Sequence, residues 1–395
     1  MIKVASVFSQ VLQVVPRIEF HRLVNANEGE RGAKGFTCWD QFVAMVFSQL
    51  SHADSLREIE HGLAACEGKL VHVGMRKAPP KSTLAYANEH RPAALYEELF
   101  YALLEQFSSL GMHPRKNKFR FKNKLLSLDA TTISLCLQLF PWAQFRRAKG
   151  GVKVHVLLDH DVYLPRFIRI TEARRHEATV APEVPLPAES IVAMDRGYTD
   201  YAQYEVWTRQ RIWFVTRMKD NARYEVLERR CLPQHRSIRA DEVIRLTGPR
   251  APHDLRLRRI VVWDEEKQES LVFFTNHMTF GATTIAAIYK ERWAIELFFK
   301  ELKQTLKIKT FVGTSPNAVA IQIWTALISL LILRWLHYRS SAGLSFSNLA
   351  GVLRLILFTY RDLEAWLQQP HQIPPLVPEP VQLALFSRGM GQLEA

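Results

Sequence analysis

Two short apolar segments that each end in an aspartate constrain the fold of this chain more than any other feature. The first reads LLSLD at 125–129, and the second reads SIVAMD at 190–195. Further strand patterns lie at 131–139, 152–158, 163–171 and 211–218. Strands that alternate with helical patterns predict a mixed sheet with helices packed on it. Because ligands of such sheets gather beyond strand ends, we expect Asp129 and Asp195 to face a common site.

A charged helical segment supplies the second set of candidate residues. It reads YKERWAIELFFKELK from 289 to 303. At about 100° per residue, four of its residues share one helix face only about 60° wide: Tyr289, Arg292, Glu296 and Lys303. A carboxylate flanked by two cations and a phenol suits a metal ion and a phosphate backbone. The alternative is an ordinary amphipathic helix with salt bridges on its surface.

The composition indicates a polyanionic partner. The chain has 395 residues, with 52 Lys and Arg against 39 Asp and Glu, a net charge of +13 and a pI of about 9.6. This balance favours nucleic acid over a membrane surface, because many phosphates can each be neutralised. The four cysteines are scattered, with no C-x-x-C pair, which favours a reducing cytoplasm and argues against structural zinc.

A long apolar stretch at 319–336 approaches membrane-spanning length. Polar residues interrupt it at Gln322, Thr325, Ser329 and Arg334. It also follows the charged segment directly. The sequence therefore predicts a buried core helix and no membrane contact.

The first part of the chain, residues 1–118, has a helical pattern. A helix at 55–61 precedes a basic turn at 76–81 and a polar helix for which Ser82 is the expected N-cap. This arrangement can form a helix-turn-helix that enters a DNA groove, although a helical bundle without DNA affinity has the same pattern. The basic linker at 115–124 can track phosphates or serve as a solvated connector.

Three carboxylates distant in sequence can form one oxygen-rich site if the fold unites them. They are Asp129, Asp195 and Glu296, the last two separated by strand-like material at 220–278. Hard divalent cations such as Mg²⁺ or Mn²⁺ prefer these ligands, whereas zinc usually recruits His or Cys. Two such ions can promote in-line displacement at a phosphodiester.

Taken in order, these residues resemble the Asp-Asp-Glu (DDE) transposases of bacterial insertion sequences, in particular the insertion-sequence-four type with its Tyr-x2-Arg-x3-Glu-x6-Lys signature. The residues that match this signature without a spacing error are Tyr289, Arg292, Glu296 and Lys303. The segments that resemble the two aspartate motifs are SLDATT at 127–132 and MDRGY at 194–198. The similarity covers roughly residues 120–340.

The resemblance implies an α/β fold with a ribonuclease H-like mixed-sheet catalytic core and a β-strand insertion. The helical N-terminal domain that precedes the core resembles the leading domain of the family, and we expect it to bind DNA. The expected boundaries are 1–118 for the N-terminal domain, 119–219 and 279–345 for the two parts of the core, 220–278 for the insertion, and 346–395 for a C-terminal helical region and tail.

The resemblance also implies roles for the site residues. Asp129, Asp195 and Glu296 would be the catalytic ligands of two Mg²⁺ or Mn²⁺ ions. The residues that would bind DNA phosphates are Tyr289, Arg292 and Lys303.

The implied reaction is cut-and-paste transposition, in which metal-dependent cleavage at transposon ends precedes strand transfer of the 3′-hydroxyl into target DNA. The implied partners are double-stranded DNA, as inverted-repeat ends and target, and a second copy of the chain in a homodimer. The expected location is the bacterial cytoplasm, at the nucleoid. Two alternatives stay open: a ribonuclease H-like nuclease that does not join DNA, and a DNA-binding protein with an idle catalytic core.

Overall fold

The computed structural model describes residues 5–371 apart from 67, 111–117, 147–148, 235–236, 249–251, 253 and 306–309. The α-helices in this part of the chain are α1 (Val7–Leu12), α2 (Arg17–Ala26), α3 (Cys38–Ser51), α4 (Leu56–Ala64), α5 (Lys81–His90), α6 (Ala94–Ser109), α7 (Tyr201–Arg209), α8 (Ala282–Glu291), α9 (Trp293–Thr305), α10 (Pro316–Arg339), α11 (Phe346–Ile356) and α12 (Leu363–Gln368). The strands are β1 (Leu125–Leu135), β2 (Gln144–Arg146), β3 (Lys149–Asp159), β4 (Leu164–Glu172), β5 (Ile191–Met194), β6 (Trp213–Arg217), β7 (Tyr224–Arg229), β8 (Ile238–Leu246), β9 (Arg256–Asp264) and β10 (Glu269–Thr275).

The strands form one mixed sheet in the order β2-β3-β1-β5-β6-β10-β9-β8-β7, with β4 paired to β3. β1, β5 and β6 are parallel neighbours, whereas the pairs on either side of them are antiparallel. Helices cover this sheet and precede it in the chain. The prediction of a mixed α/β fold is therefore confirmed.

One detail of the predicted sheet is wrong. Asp129 was expected at the end of a strand, but β1 runs without interruption from Leu125 to Leu135. The neighbouring strand β5 ends at Met194, opposite Leu128 in the register. Among the described strands, none pairs with β1 on that side beyond Leu128, and Asp129 is the first residue of this open edge.

The two faces of the sheet carry different helices. Leu126 and Leu128 belong to an apolar cluster with Trp207 of α7. Leu125 belongs to a second cluster with Ile285 and Ile288 of α8. Since side chains alternate along a strand, β1 offers its odd-numbered residues, including Asp129, to the face on which α8 lies.

The helices before the sheet share a core with the helices after it. One apolar cluster contains residues of the N-terminal helices together with residues of α9 and α10. Phe107 of α6 stacks on Trp335 of α10, with ring centroids 5.0 Å apart. Of the described helices, only α10 is long and apolar enough to cross a membrane, and 89% of its most apolar window is buried inside the protein. The prediction that 319–336 is a core helix is confirmed.

Residues 220–278 are rich in strands, as expected. β7 to β10 form a run of antiparallel hairpins. β10 pairs with β6, so these strands extend the same sheet.

Before the sheet, α5 begins at Lys81 with Pro80 at the N-cap position, so the expected N-cap at Ser82 is wrong. Residues 115–117 of the basic linker and 372–395 of the expected C-terminal tail lie outside the described residues.

Candidate active site

Asp129 and Asp195 lie side by side on neighbouring strands. Asp195 directly follows β5, and its backbone N–H approaches the carbonyl of Leu128, with N and O 3.4 Å apart. Ile191 and Ala193 of β5 belong to the cluster that contains Ile285 of α8. By the same alternation, Asp195 faces the side of the sheet that Asp129 faces. The sheet therefore brings together two of the three acids singled out from the sequence.

The segment that carries the third acid is not one continuous helix, so the single-helix prediction is wrong. α8 ends at Glu291, α9 begins at Trp293, and Arg292 forms the junction. The N–H of Arg292 donates to the carbonyl of Tyr289, and the N–H of Ile295 donates to the carbonyl of Arg292. Both bonds span three residues, the tighter spacing of a 3₁₀ turn, and they mark the interruption between the two helices.

Arg292 connects two of the three acids. One of its terminal nitrogens donates to Asp129 Oδ2, and the other donates to Glu296 Oε1 at 2.7 Å. Its side chain is only 14% exposed, and its Nε, which is buried, has no hydrogen-bond partner within the described structure. Burial lowers the pKa of Arg292, but the nearby acids and Tyr289 raise it by more, so the guanidinium stays charged.

Tyr289 and Lys303 flank this centre. The Tyr289 ring packs against Phe273 of β10 with centroids 4.8 Å apart, and the Arg292 guanidinium carbon lies 5.5 Å from the Tyr289 ring centroid. Lys303 Nζ donates to the carbonyl of Thr132 at 3.2 Å, on the open edge of β1. Arg292, Glu296 and Lys303 therefore lie along the part of β1 that Asp129 begins, whereas Tyr289 packs on β10 beside Arg292.

Most apolar residues of α9 are buried, and two are exposed. Ile295, Phe298 and Leu302 are buried. Leu297 is 44% exposed, and Trp293 is 59% exposed. These two side chains therefore lie on the exposed face of α9.

The surroundings of Asp129 disfavour its charged form. Its pKa is raised to about 7, mainly by burial; Arg292 and the N–H of Ala130 lower it in part, and the charges of Asp195 and Glu296 also raise it. One guanidinium shared between two carboxylates does not compensate the buried charge of Asp129. A further cation at this position would be stabilised.

This pKa predicts how stability depends on pH. Because the folded-state pKa of about 7 exceeds the unfolded value of about 3.9, the folded state binds more protons between these values. The free energy of unfolding should therefore fall as pH rises from about 4 to about 7. Asp129→Asn should remove this slope and raise the thermal midpoint by a few degrees above pH 7 without divalent cations. The pH dependence is measured by thermal unfolding across this range, with Asp254→Asn, a substitution of an exposed aspartate, as the control. An Asp129→Asn variant that keeps the slope of the parent would contradict the raised pKa of Asp129.

The donor set suits a hard divalent cation. All three acids offer carboxylate oxygens, and the charges of Asp195 and Glu296 act on Asp129. Within the described ranges, no three His, Cys, Asp or Glu side chains are gathered tightly enough to hold a metal ion. The carboxylates are engaged with protein groups instead: Asp129 and Glu296 with Arg292, and Asp195 Oδ2 with the N–H of Gly197 at 2.9 Å.

A set of polar residues behind Asp195 was missed by the sequence reasoning. Tyr198 Oη lies 2.7 Å from His155 Nδ1, and the carboxylate of Glu177 lies against Gly197. The position of His155 between Val154 and Val156 indicates a packed or hydrogen-bonded histidine, which the structure confirms. The pattern does not reveal its partner, because the two residues lie on different elements 43 positions apart.

Comparison with known proteins gives the family of the chain. The model of the transposase DDE domain matches residues 120–332, and a domain of unknown function matches residues 3–76. The chain is similar to the putative transposase y4zB of Sinorhizobium fredii, with 29% identity over 75% of this chain and 83% of the relative. It is also 30% identical to the probable transposase for insertion sequence element IS5377 of Geobacillus stearothermophilus, over 56% of this chain and 59% of that protein.

A third relative supports the same assignment. The putative transposase for insertion sequence element IS4SA of Synechocystis is 25% identical over 73% of this chain and 81% of its own length. The transposase DDE domain match covers more than half of the chain and includes all three acids and all three phosphate-binding candidates. The resemblance drawn from the sequence is confirmed, and the chain belongs to the DDE transposases of insertion sequences.

Proposed function

We propose that this transposase cleaves DNA at the ends of its own element and joins the freed 3′-hydroxyl to target DNA by the cut-and-paste route. The observation that carries the proposal is that Asp129 lies beside Asp195 in the sheet register and shares the guanidinium of Arg292 with Glu296. Two acids that share one guanidinium, with a third acid beside them, suit a site that handles a phosphodiester and its counter-ions.

Asp129, Asp195 and Glu296 are the proposed holders of two Mg²⁺ or Mn²⁺ ions. When bound, such ions supply charge neutralisation at the phosphate and a more reactive attacking hydroxyl. The carboxylates contribute the negative charge that keeps these cations at the sheet edge. The high pKa of Asp129 supports this role, because the buried acid is stabilised in its charged form only when more positive charge is near.

The catalytic core is proposed to be ribonuclease H-like. Its parts are residues 119–219 and 279–345, with the insertion at 220–278 between them. A central β1, flanked by antiparallel β3 on one side and parallel β5 and β6 on the other, supports this assignment. In the chain, β7 to β10 then separate Asp195 from Glu296, as the proposed insertion requires.

Arg292, Lys303 and Tyr289 are the proposed contacts to the phosphates at the element's end. The guanidinium of Arg292 is planar, and its N–H groups can donate two parallel hydrogen bonds to phosphate oxygens. Its buried Nε–H donates to no group within the described structure. Lys303 offers a point charge beside β1, and Tyr289 offers a hydroxyl next to Arg292. These three side chains would hold the scissile phosphate near the acids.

Lys303→Ala is expected to weaken binding to element-end DNA and to reduce the salt slope by about one, because one phosphate contact is lost. Binding should be measured at several salt concentrations. Lys290→Ala, which removes an exposed lysine from α8, is the matched control and should leave the slope unchanged. An unchanged slope for Lys303→Ala would mean that this lysine does not contact a phosphate.

The helices within residues 1–118 are proposed to bind DNA. Helix α5 offers a basic and aromatic surface for this contact: Lys81 is exposed, and the ring of Tyr86 stacks on that of His90 with centroids 4.0 Å apart. A homodimer holding two element ends is the proposed active form, at the nucleoid in the bacterial cytoplasm. Residues 346–395 form the proposed C-terminal region.

A strand-transfer assay tests the proposed function. The chain, Mg²⁺, linear DNA carrying the inverted repeats that flank its gene, and a supercoiled target plasmid are incubated together. Joined products are expected. Nicked or cleaved DNA without joined products would indicate a ribonuclease H-like nuclease, and end binding without cleavage would indicate a DNA-binding protein with an idle core.

A further inference from the structure

We propose that Tyr198, held by His155, and Glu177, held by Lys153, are positioning residues that determine where Asp195 lies. The inference rests on the proposed function, in which Asp195 holds a divalent cation. It assigns roles to four residues other than the three acids, and these roles can be tested separately from that of Asp195.

Asp195 depends on the short turn that follows it. β5 is only four residues long, and Asp195 caps the 3₁₀ turn Arg196–Tyr198, with Oδ2 accepting from the N–H of Gly197 at 2.9 Å. The carboxylate therefore moves with this turn. Whatever anchors Gly197 and Tyr198 also positions Asp195.

The first anchor is a chain of hydrogen bonds in which each group donates to the next, from Tyr198 through His155 to Thr171. Thr171 Oγ1 donates to the carbonyl of Glu172 at 3.2 Å, so it can accept from His155 Nε2 at 3.1 Å. His155 Nδ1 then carries the lone pair and accepts from the hydroxyl of Tyr198 at 2.7 Å. Burial lowers the pKa of His155 to about 3, which keeps the ring neutral in this tautomer.

The second anchor is a carboxylate packed on a glycine. A Cβ built on Gly197 would lie 1.6 Å from Glu177 Oε2 and 3.2 Å from Asp195 Oδ2. Glu177 Oε1 pairs with Lys153 Nζ at 3.2 Å, and Lys153 also donates to the carbonyl of Arg175 at 3.1 Å. Position 197 thus has room only for glycine while Glu177 stays paired with Lys153.

Both anchors belong to one face of β3. Lys153 and His155 lie two residues apart, and His155 is opposite Ala130 in the register, one residue beyond Asp129. β3 therefore fixes the relation between the two aspartates, because it pairs with the strand of Asp129 and holds the turn of Asp195. Packing alone would explain why the Tyr198 ring is buried, but not why its hydroxyl points to His155 Nδ1.

The test is Mn²⁺ binding to the full chain in complex with element-end DNA, followed by electron paramagnetic resonance. Tyr198→Phe should weaken Mn²⁺ binding by about ten- to a hundredfold, the range for groups that orient metal ligands. Binding to element-end DNA should not change. Tyr201→Phe, which removes a neighbouring hydroxyl on α7, is the matched control and should bind Mn²⁺ as the parent does.

Two substitutions of His155 separate positioning from packing. His155→Asn keeps an acceptor near Nδ1 for Tyr198, whereas His155→Gln keeps a group near Nε2 for Thr171 but leaves Tyr198 without its acceptor. We expect Asn to retain more Mn²⁺ affinity than Gln, even if both variants lose thermal stability. Equal Mn²⁺ affinities for the two variants, or a Tyr198→Phe variant that matches the parent, would overturn the inference.

Asp195→Asn distinguishes this inference from the proposed function. If Asp195→Asn weakens Mn²⁺ binding while Tyr198→Phe does not, the positioning role fails and the proposed metal site stands. If Asp195→Asn itself leaves Mn²⁺ binding unchanged, the proposed site fails, and the positioning role fails with it.

Discussion

Glu296→Gln is expected to reduce metal-dependent cleavage of element-end DNA by about a thousandfold, which corresponds to a loss of about 4 kcal/mol in transition-state stabilisation. Glutamine has nearly the shape of glutamate but no charge, so it cannot neutralise a bound cation. The Glu296 side chain is 35% exposed, and Arg292 keeps its other partner, Asp129, when Glu296 loses its charge. The variant should therefore fold normally and bind element-end DNA as the parent does.

The matched control is Glu291→Gln. Glu291 lies five residues before Glu296 but pairs with the exposed Lys118, at 3.0 Å, away from the acids. This variant should retain cleavage. Cleavage is measured as the rate of release of a labelled end fragment in Mg²⁺. A Glu296→Gln variant that cleaves within about tenfold of the parent would remove Glu296 from the set of metal ligands.

Arg292→Ala is expected to change two properties in opposite directions. End binding should weaken by about ten- to a hundredfold, because a charge-assisted contact to phosphate contributes about 1.5–3 kcal/mol. Mn²⁺ binding by the protein without DNA should strengthen, since the guanidinium that now contacts Asp129 and Glu296 no longer competes with the cation. Arg292→Lys should show an intermediate effect, because a lysine lacks the planar fork that reaches both acids.

Calorimetric titration with Mn²⁺ and end binding at several salt concentrations measure the two effects. Arg209→Ala, which removes an exposed arginine paired with Glu205 on α7, is the control and should change neither property. A loss of Mn²⁺ affinity in Arg292→Ala would show that Arg292 supports the cation site rather than competing with it.

The sequence contains enough information to place the acids on the right elements. Strand patterns at 125–129 and 190–195 predict β1 and β5, and the parallel pairing of these strands brings Asp129 and Asp195 together. The periodicity of 289–303 correctly brings Arg292 and Glu296 to one face, since residues four apart stay neighbours even when the helix breaks before them. Local patterns succeed here because each depends only on residues close in sequence.

Features that depend on tertiary contact could not be predicted. No proline or glycine near Arg292 indicates a break in the helix there. The break accompanies the ion pair between Arg292 and Asp129, which lies 163 residues earlier in the chain. The continuation of β1 past Asp129 depends on β3, which pairs with β1 from Leu126 to Leu135. The partnership of His155 with Tyr198 likewise requires knowing which residues the sheet brings together. In each case, the deciding partner is distant in sequence.

The most direct test of the account is a crystal structure of the chain bound to element-end DNA and Mn²⁺, with the ions located by their anomalous scattering. We expect Mn²⁺ within about 2.5 Å of carboxylate oxygens of Asp129, Asp195 and Glu296, with Arg292 turned from the acids to a phosphate. Mn²⁺ bound to other residues, with these three carboxylates directed to separate surfaces, would contradict the account.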